Sequence, residues 1–446
     1  MIRLFNVSFA PATFILLLFE TLVLFGAFIL ATLAVGDLDP IDYLLYDSGL
    51  LATALVVASF LLGLYFHDLY AEIRVKSRVL LLQQLCMVTG VAFLAEGLIS
   101  SLDSDLRVSV RIMVVGTVIA VPVIFLWRLL FGNLAGQMLP QTRLVLIGHS
   151  PTLTQLQQWI EAQPDTGLAI EGTAETPNEL EALQGIVRTQ QPPQLVFGAS
   201  HKLDPKLAQE VVELRLAGYD VETAATTYER ASSRVSIYGL RPDQLIYSSD
   251  FARLARRSIY LLGLSTVIAG ICFVVTTPLL MLTALSLWAV NRGLGIWRRE
   301  SLVGLNGRIF QGYCFHVDGN GMVARMVRRF RLDRLPQLLN VLKGEMAIVG
   351  PRAGRPEYQQ AIERYIPFYR ERYSVRPGMT GWAQVQVYAK ANGADVMAQL
   401  EYDLYYVKHM SFGLNTLILL YTIKSLLMTS QVPSQVWSGK QVSVSS

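Results

Sequence analysis

The stretch RRFRLDRLPQLLNVLKGEMAIVGPR, residues 328–352, sets Arg328, Arg329, Arg331 and Arg334 around a single carboxylate, Asp333, and ends on Arg352. A guanidinium grips phosphate through paired hydrogen bonds and keeps its charge at any working pH, so this set suits a polyanionic substrate held beside a nucleophile. A structural reading competes with it. Pro336 is tolerated only in the first turn of a helix, which puts a helix start near Asp333 and makes that side chain an N-cap. The two roles are compatible, because the dipole at that helix end keeps a carboxylate ionised. An arginine run also serves as a solvated face or a lipid-headgroup patch, so spacing alone leaves cap and nucleophile open.

The surrounding turns favour a site. GEMAIVGPR reads as a strand ending in a tight Gly350-Pro351 turn that fixes Arg352, and RPGMTGWAQV is a second glycine-punctuated loop, carrying Arg376, Gly378 and Thr380. Rigid turns that present arginines point to phosphate binding, with Pro336 and Gln337 supporting from the helix.

These residues sit in a chain of 446 residues, too long for one core, in which 52% of residues are hydrophobic and only 16% charged, with a mean hydropathy of +0.40. Water-soluble domains seldom carry so much apolar surface, so an integral membrane protein with soluble parts is expected. A net charge of +4 with no basic groove interleaved with aromatics argues against nucleic acid as a partner. The three cysteines, Cys86, Cys272 and Cys314, are far apart and lack metal-ligand spacing, which fits a reducing cytoplasmic setting.

Apolar stretches at about 13–36, 48–66, 79–101 and 109–132 are each long enough to cross a bilayer. The first connector carries Asp37, Asp39, Asp42 and Asp47 and no basic residue, whereas the second carries Arg74, Lys76 and Arg78. By the positive-inside rule both ends of this bundle face the cytoplasm. Glu20 and Glu96 lie within spans. Intramembrane carboxylates raise a transport hypothesis, but no inverted repeat or broken helix pair accompanies them, and interhelical hydrogen bonding or a position close to the interface explains them better.

From Arg143 the pattern alternates: strand RLVLIG, helix PTLTQLQQWIEAQ, strand QLVFGAS, then a helix and strand in AQEVVELRLAGYDVETA. This predicts a small parallel α/β sheet with Rossmann-like winding. The turn IGHSPTL has one glycine where a dinucleotide fingerprint needs three, so His149 and Ser150 read as loop caps more than ligand contacts. The stretch TTYERASSRVSIYGLRPDQLIYSSDF reads as a connector back to the membrane. Residues 258–290 are long enough to span, but Thr277-Pro278 interrupts them. Crossing would put an arginine-rich region outside, against the charge rule. A re-entrant hairpin breaking at Pro278 is therefore expected.

VGLNGRIF, RRFRLDRLPQLLNVLKGEMAIVGPR, RPGMTGWAQV and LEYDLYYVKH, in this order between about Phe251 and Leu427, resemble the bacterial sugar transferase family of polyprenyl-phosphate sugar-1-phosphate transferases, in its large exopolysaccharide and exosortase-linked form. The resemblance implies a membrane α-helical bundle over 1–135, a Rossmann-like α/β domain over 136–250, and a mixed α/β membrane-associated catalytic domain with a re-entrant helix over 251–446. It implies that Asp333 attacks the pyrophosphate of a UDP-sugar with loss of UMP, and that the sugar phosphate passes to undecaprenyl phosphate to begin exopolysaccharide or O-antigen synthesis. Expected partners are the UDP-sugar, undecaprenyl phosphate, the bilayer of the bacterial inner membrane and a second copy of the chain, with Mg²⁺ as cofactor.

Several positions depart from the family pattern. The Glu that normally follows the Asp is Arg334, RQERVG becomes RESLVG with Glu300 and Leu302, KFRSM becomes CFHVD at 314–318, and an expected Asp is Asn415. An arginine cannot hold Mg²⁺, which leaves Asp318, Glu345 and Glu300 as metal candidates, or Arg334 in place of the cation's charge. The alternative is a catalytically degenerate member that binds lipid or a partner enzyme within a polysaccharide assembly system.

Overall fold

The computed structural model describes residues 2–4, 7–9, 11–35, 40–45, 48–67, 69–70, 78–138, 142–163, 167–174, 193–198, 205–216, 218–240, 254–290, 295–319, 321–389 and 396–428. By compactness the chain divides into two units, one made mainly of residues 9–142 and the other of residues 143–162 and 170–446 with a short N-terminal piece.

The first unit contains the helices Pro11–Val35, Gly49–Phe66, Arg78–Leu102 and Val110–Met138, each with a segment long and apolar enough to cross a membrane. Leu24, Phe28, Val56, Phe60, Val88 and Met113 are buried between them, while Leu18, Leu22, Leu94 and Val118 are largely exposed. Large side chains on the outside would be a liability in water, and a bilayer removes it. Small residues let the helices close: a Cβ at Gly116 would lie 2.5 Å from the Phe28 ring, and one at Gly63 would lie 2.8 Å from Val88.

Both intramembrane carboxylates have structural partners. Glu20 is fully buried, 2.6 Å from Arg128 Nε, and accepts a 2.6 Å hydrogen bond from Tyr70, while Arg128 donates to the Leu69 carbonyl. Glu96 accepts from the backbone N–H of Val108, tying one helix end to the start of the next. Arg128 was not anticipated from the sequence.

In the second unit four strands form one sheet in the order Leu168–Ala174, Thr142–Ile147, Gln194–Phe197, Val221–Thr223, and the last three pair in parallel. The strand Leu168–Ala174 was missed in the sequence because Gly172 and Glu171 dilute its apolar pattern. Ser150 caps the helix Pro151–Ala162 by accepting from Leu153 N–H, the loop-capping role expected of it. The stretch read as a connector is partly regular: Ala224–Ser232 is a helix capped by Thr223, while 241–250 lies outside the described residues.

That helix docks on the later helix Val396–His409. Glu229 accepts from Lys408 at 2.9 Å and pairs with His409 at 2.5 Å. Glu401 accepts from Gln155 and Tyr228, and the Val235 N–H donates to the Glu401 carbonyl.

Residues Leu254–Val290 form one helix with Pro278 inside it. The backbone is helical on both sides of Pro278, so a turn there is a bend within one helix and not a gap between two. Thr276 and Thr277 direct their hydroxyls to the carbonyls of Cys272 and Phe273, one turn back, the pattern that accompanies helix bending. One face of this helix rests on the region that follows. Ala269, Cys272 and Phe273 pack with Leu338, Val341 and Met346, and Leu280, Ala284 and Leu287 pack with Phe315, Val327 and Leu332. Val267, Ile271, Val274, Met281, Leu285 and Trp288 on the other faces are exposed.

Candidate active site

Asp333 lies in the short 3₁₀ segment Leu332–Gln337, which leads into the helix Leu338–Leu342. The residue before the segment, Arg331, has a left-handed backbone at φ 53°. The cap position therefore falls on Arg331, and Asp333 sits in the first turn without capping it. The cap reading of Asp333 is corrected by this register: the segment starts at Leu332, two residues earlier than a cap at Asp333 requires, and Pro336, expected in the first turn, lies near its end.

The opposite wall is an antiparallel hairpin, Trp297–Val303 with Ile309–Phe315, in which Arg298 faces Cys314 and Glu300 faces Gly312. Side chains alternate across a strand, so Arg298, Glu300 and Leu302 share one face. That face and the Asp333 turn enclose a cleft of about 130 Å³ lined by Arg298, Glu300, Cys314, Asp333, Arg334, Gln337, Arg352 and Gly378 among others. Asn340, fully buried, holds hairpin and turn together. It accepts from Tyr313 N–H and donates to the Gln311 carbonyl and to Glu345.

The floor is made by two short parallel strands, Ala347–Val349 and Gly378–Thr380. Glycine is required there: a Cβ on Gly378 would lie 2.1 Å from the Gly350 nitrogen, and one on Gly350 would lie 2.5 Å from the Arg376 carbonyl. Gly350 N–H donates to Thr380, and Gly378 N–H donates to Pro351, so the two glycine turns of the sequence are pressed into one unit. Arg352 leaves this unit into the cleft. Behind it, Arg372 donates to the Arg352 carbonyl at 2.9 Å and pairs with Asp403 at 2.7 Å, both side chains being almost wholly buried.

Burial pushes the Asp333 carboxyl above its ordinary value, and the guanidinium of Arg334, followed by those of Arg331 and Arg328, partly opposes this. A partly desolvated carboxylate that keeps its basicity suits nucleophilic attack. Burial also raises the Cys314 thiol, which keeps it neutral beside the carboxylate.

The arginines expected at the site divide. Arg352 lines the cleft, Arg328 and Arg331 act on Asp333 through their charge, and Arg328 also donates to the Gly319 carbonyl. Arg329 is exposed on the helix Met322–Arg329 and does not line the cleft. Arg376 donates to the Gly344 carbonyl and borders a separate small cavity with Tyr406 and Asn415. Of the supporting residues, Gln337 and Gly378 line the cleft, while Thr380 bonds Thr422. Arg298 and Cys314 were missed, although the alternation along RRESLV places Arg298 and Glu300 on one face.

The metal candidates also divide. Only Glu300 lines the cleft, and its Oε1 is already 2.7 Å from Arg298 and 3.2 Å from Arg355. Asp318 pairs with His316, and Glu345 accepts from Asn340. Among the described residues no three His, Cys, Asp or Glu side chains come together as a metal-binding group. Glu300, the one metal candidate in the cleft, is thus already engaged by two guanidiniums.

Residues 320–429 match the model of the family described as bacterial sugar transferase. The chain is 33% identical over 219 residues to an Aeromonas hydrophila protein named UDP-N-acetylgalactosamine-undecaprenyl-phosphate N-acetylgalactosaminephosphotransferase, covering 45% of this chain and 50% of that protein. It is 30% identical to the uncharacterized sugar transferase EpsL of Bacillus subtilis, over 37% of this chain and 86% of EpsL. It is also 33% identical to a Caulobacter vibrioides UDP-glucose:undecaprenyl-phosphate glucose-1-phosphate transferase, over 37% of this chain and 69% of the relative. The chain belongs to the bacterial sugar transferase family. It spans half the length of the Aeromonas relative it matches.

Proposed function

We propose that this protein transfers a sugar-1-phosphate from a UDP-sugar to undecaprenyl phosphate at the cytoplasmic face of the bacterial inner membrane, as the first step of exopolysaccharide or O-antigen synthesis. The observation that carries this reading is the placement of Asp333 in the wall of a cleft that also receives Arg298, Arg334 and Arg352. In the first step an Asp333 carboxylate oxygen forms a bond to the sugar-bearing phosphorus, and the bond from that phosphorus to the bridging oxygen breaks. UMP leaves with the electron pair. In the second step an oxygen of undecaprenyl phosphate attacks the same phosphorus and the Asp333–phosphorus bond breaks, regenerating the carboxylate. The guanidiniums offset charge on the phosphoryl oxygens in both steps.

The seating of Leu254–Val290 supports a re-entrant anchor. A straight helix of 37 residues would be about 55 Å long, against a hydrocarbon core of about 30 Å. Both its halves instead rest on the catalytic region, with the outer apolar face left for lipid. On this reading the cleft lies at the level of the acceptor's phosphate. The parallel sheet of residues 142–223 fits Rossmann-like winding.

The test is UMP release from a panel of UDP-sugars by the full chain in detergent with undecaprenyl phosphate. Release that needs both the lipid and Asp333 supports the reading and names the donor. Asp333→Asn, which keeps shape and removes the nucleophile, abolishes release while the protein stays folded; turnover like the unaltered protein's would refute the assignment. A second reading is favoured by Arg334 standing beside the nucleophile: a non-catalytic member that binds the lipid phosphate or a partner enzyme. Lipid binding without release from any donor supports that alternative.

A further inference from the structure

We propose that the cleft neutralises the donor's pyrophosphate with the guanidiniums of Arg334, Arg298 and Arg352, and works without a divalent cation. This rests on the sugar-phosphate transfer reading and states how its substrate's charge is met.

The charge inventory of the cleft is the first ground. Arg298, Arg334 and Arg352 stand against Asp333 and Glu300, so the lining carries a positive excess before substrate enters. Mg²⁺ sites that serve nucleotide substrates are usually built from one or two carboxylates with waters and the substrate's own phosphates. Here Glu300 is held by Arg298 at 2.7 Å and Arg355 at 3.2 Å. A cation there would have to displace one guanidinium and then sit among the others. Asp333 is needed as the attacking group and is not free to act as a ligand.

The position of Arg334 is the second ground. The left-handed turn at Arg331 and the following 3₁₀ segment, in which Arg334 N–H donates to the Arg331 carbonyl, fix the backbone that carries Arg334 into the cleft. Among the charges acting on Asp333 its guanidinium is the strongest. It cannot lose its proton, and its planar fork matches two phosphoryl oxygens at once. A pyrophosphate diester carries about two negative charges near neutral pH, and guanidiniums offset such charge through paired hydrogen bonds to the phosphoryl oxygens. Arg352 is braced for this by Arg372, which donates to its carbonyl.

The experiment uses the full chain in detergent and two separate readouts: UDP-sugar affinity by calorimetry and UMP release with undecaprenyl phosphate, each in Mg²⁺ and in EDTA. Affinity and release are expected to agree within about twofold between the two buffers. Arg334→Gln is expected to weaken binding and slow release by about 10- to 100-fold, as loss of a charge-assisted pair implies. Arg334→Lys falls between, and Arg334→Glu gains a dependence on Mg²⁺. Release that EDTA abolishes and Mg²⁺ restores overturns the proposal, as does Arg334→Gln binding donor as tightly as the unaltered protein. Donor binding that ignores Mg²⁺ and needs Arg334 supports it even where release is slow. Absence of UDP-sugar binding in both buffers overturns the transfer reading itself, and this inference with it.

Discussion

The Arg372–Asp403 pair offers a sharp test of how the cleft is braced. Its two side chains are 4% and 1% exposed and 2.7 Å apart, and Arg372 also donates to Tyr369 at 2.8 Å and to the Arg352 carbonyl. Removing one partner of such a pair costs about 3–5 kcal/mol, because the other charge is left buried and uncompensated. The two partners differ in how they respond. Arg372 cannot give up its proton, whereas Asp403 can take one, and burial already pushes its carboxyl up to about 6 against the pull of Arg372. Asp403→Asn should therefore be the more damaging change, lowering Tm by about 6–20 °C for a region of this size at roughly 2–4 °C per kcal/mol. Arg372→Met should lose less, and the double replacement Arg372→Met with Asp403→Leu should recover most of the loss, since an apolar pair of similar volume has no charge to desolvate. The assay is a thermal scan of the four proteins in the same detergent, paired with UMP release to follow Arg352. A Tm for Asp403→Asn within about 2 °C of the unaltered protein, or a double variant no better than the single, would refute the reasoning.

Asn340→Ala should cost about 2–4 kcal/mol, because it strands Tyr313 N–H, the Gln311 carbonyl and Glu345 together; denaturant unfolding checks this. Gly378→Ala, whose Cβ would lie 2.1 Å from the Gly350 nitrogen, should separate the two glycine turns at a cost of about 1–3 kcal/mol and reduce UMP release. Burial pushes Glu229 up, but its bonds to His409 and Lys408 hold it below the ordinary carboxylate value. The contribution of this contact is thus full above that value and is lost as pH falls through the lowered one. Protection from hydrogen exchange in 224–232 should hold from about pH 7 down to about pH 4.3 and fall only as the pH is lowered further, and Glu229→Gln should remove that part of the pH dependence.

Much of this protein could be read before it was folded. Helix length and apolarity are local properties, so the span boundaries read at 13, 66 and 101 lie within a residue of Thr13, Phe66 and Leu102 in the structure. Glycine and proline record backbone needs wherever they stand, which is why Gly350 and Gly378 marked the two turns that meet under the cleft. Asp333 stood out by its neighbours' charge. The structure alone decided which arginine serves which purpose. Arg376 and Arg352 look alike in the chain, yet one is spent on the Gly344 carbonyl and the other enters the cleft. Arg298 joins through a hairpin register that pairs it with Cys314, and Arg372 meets Asp403 across thirty-one positions. Residue type states what a side chain can bond, but long-range pairing determines which element it faces, and that decides which chemistry it can serve.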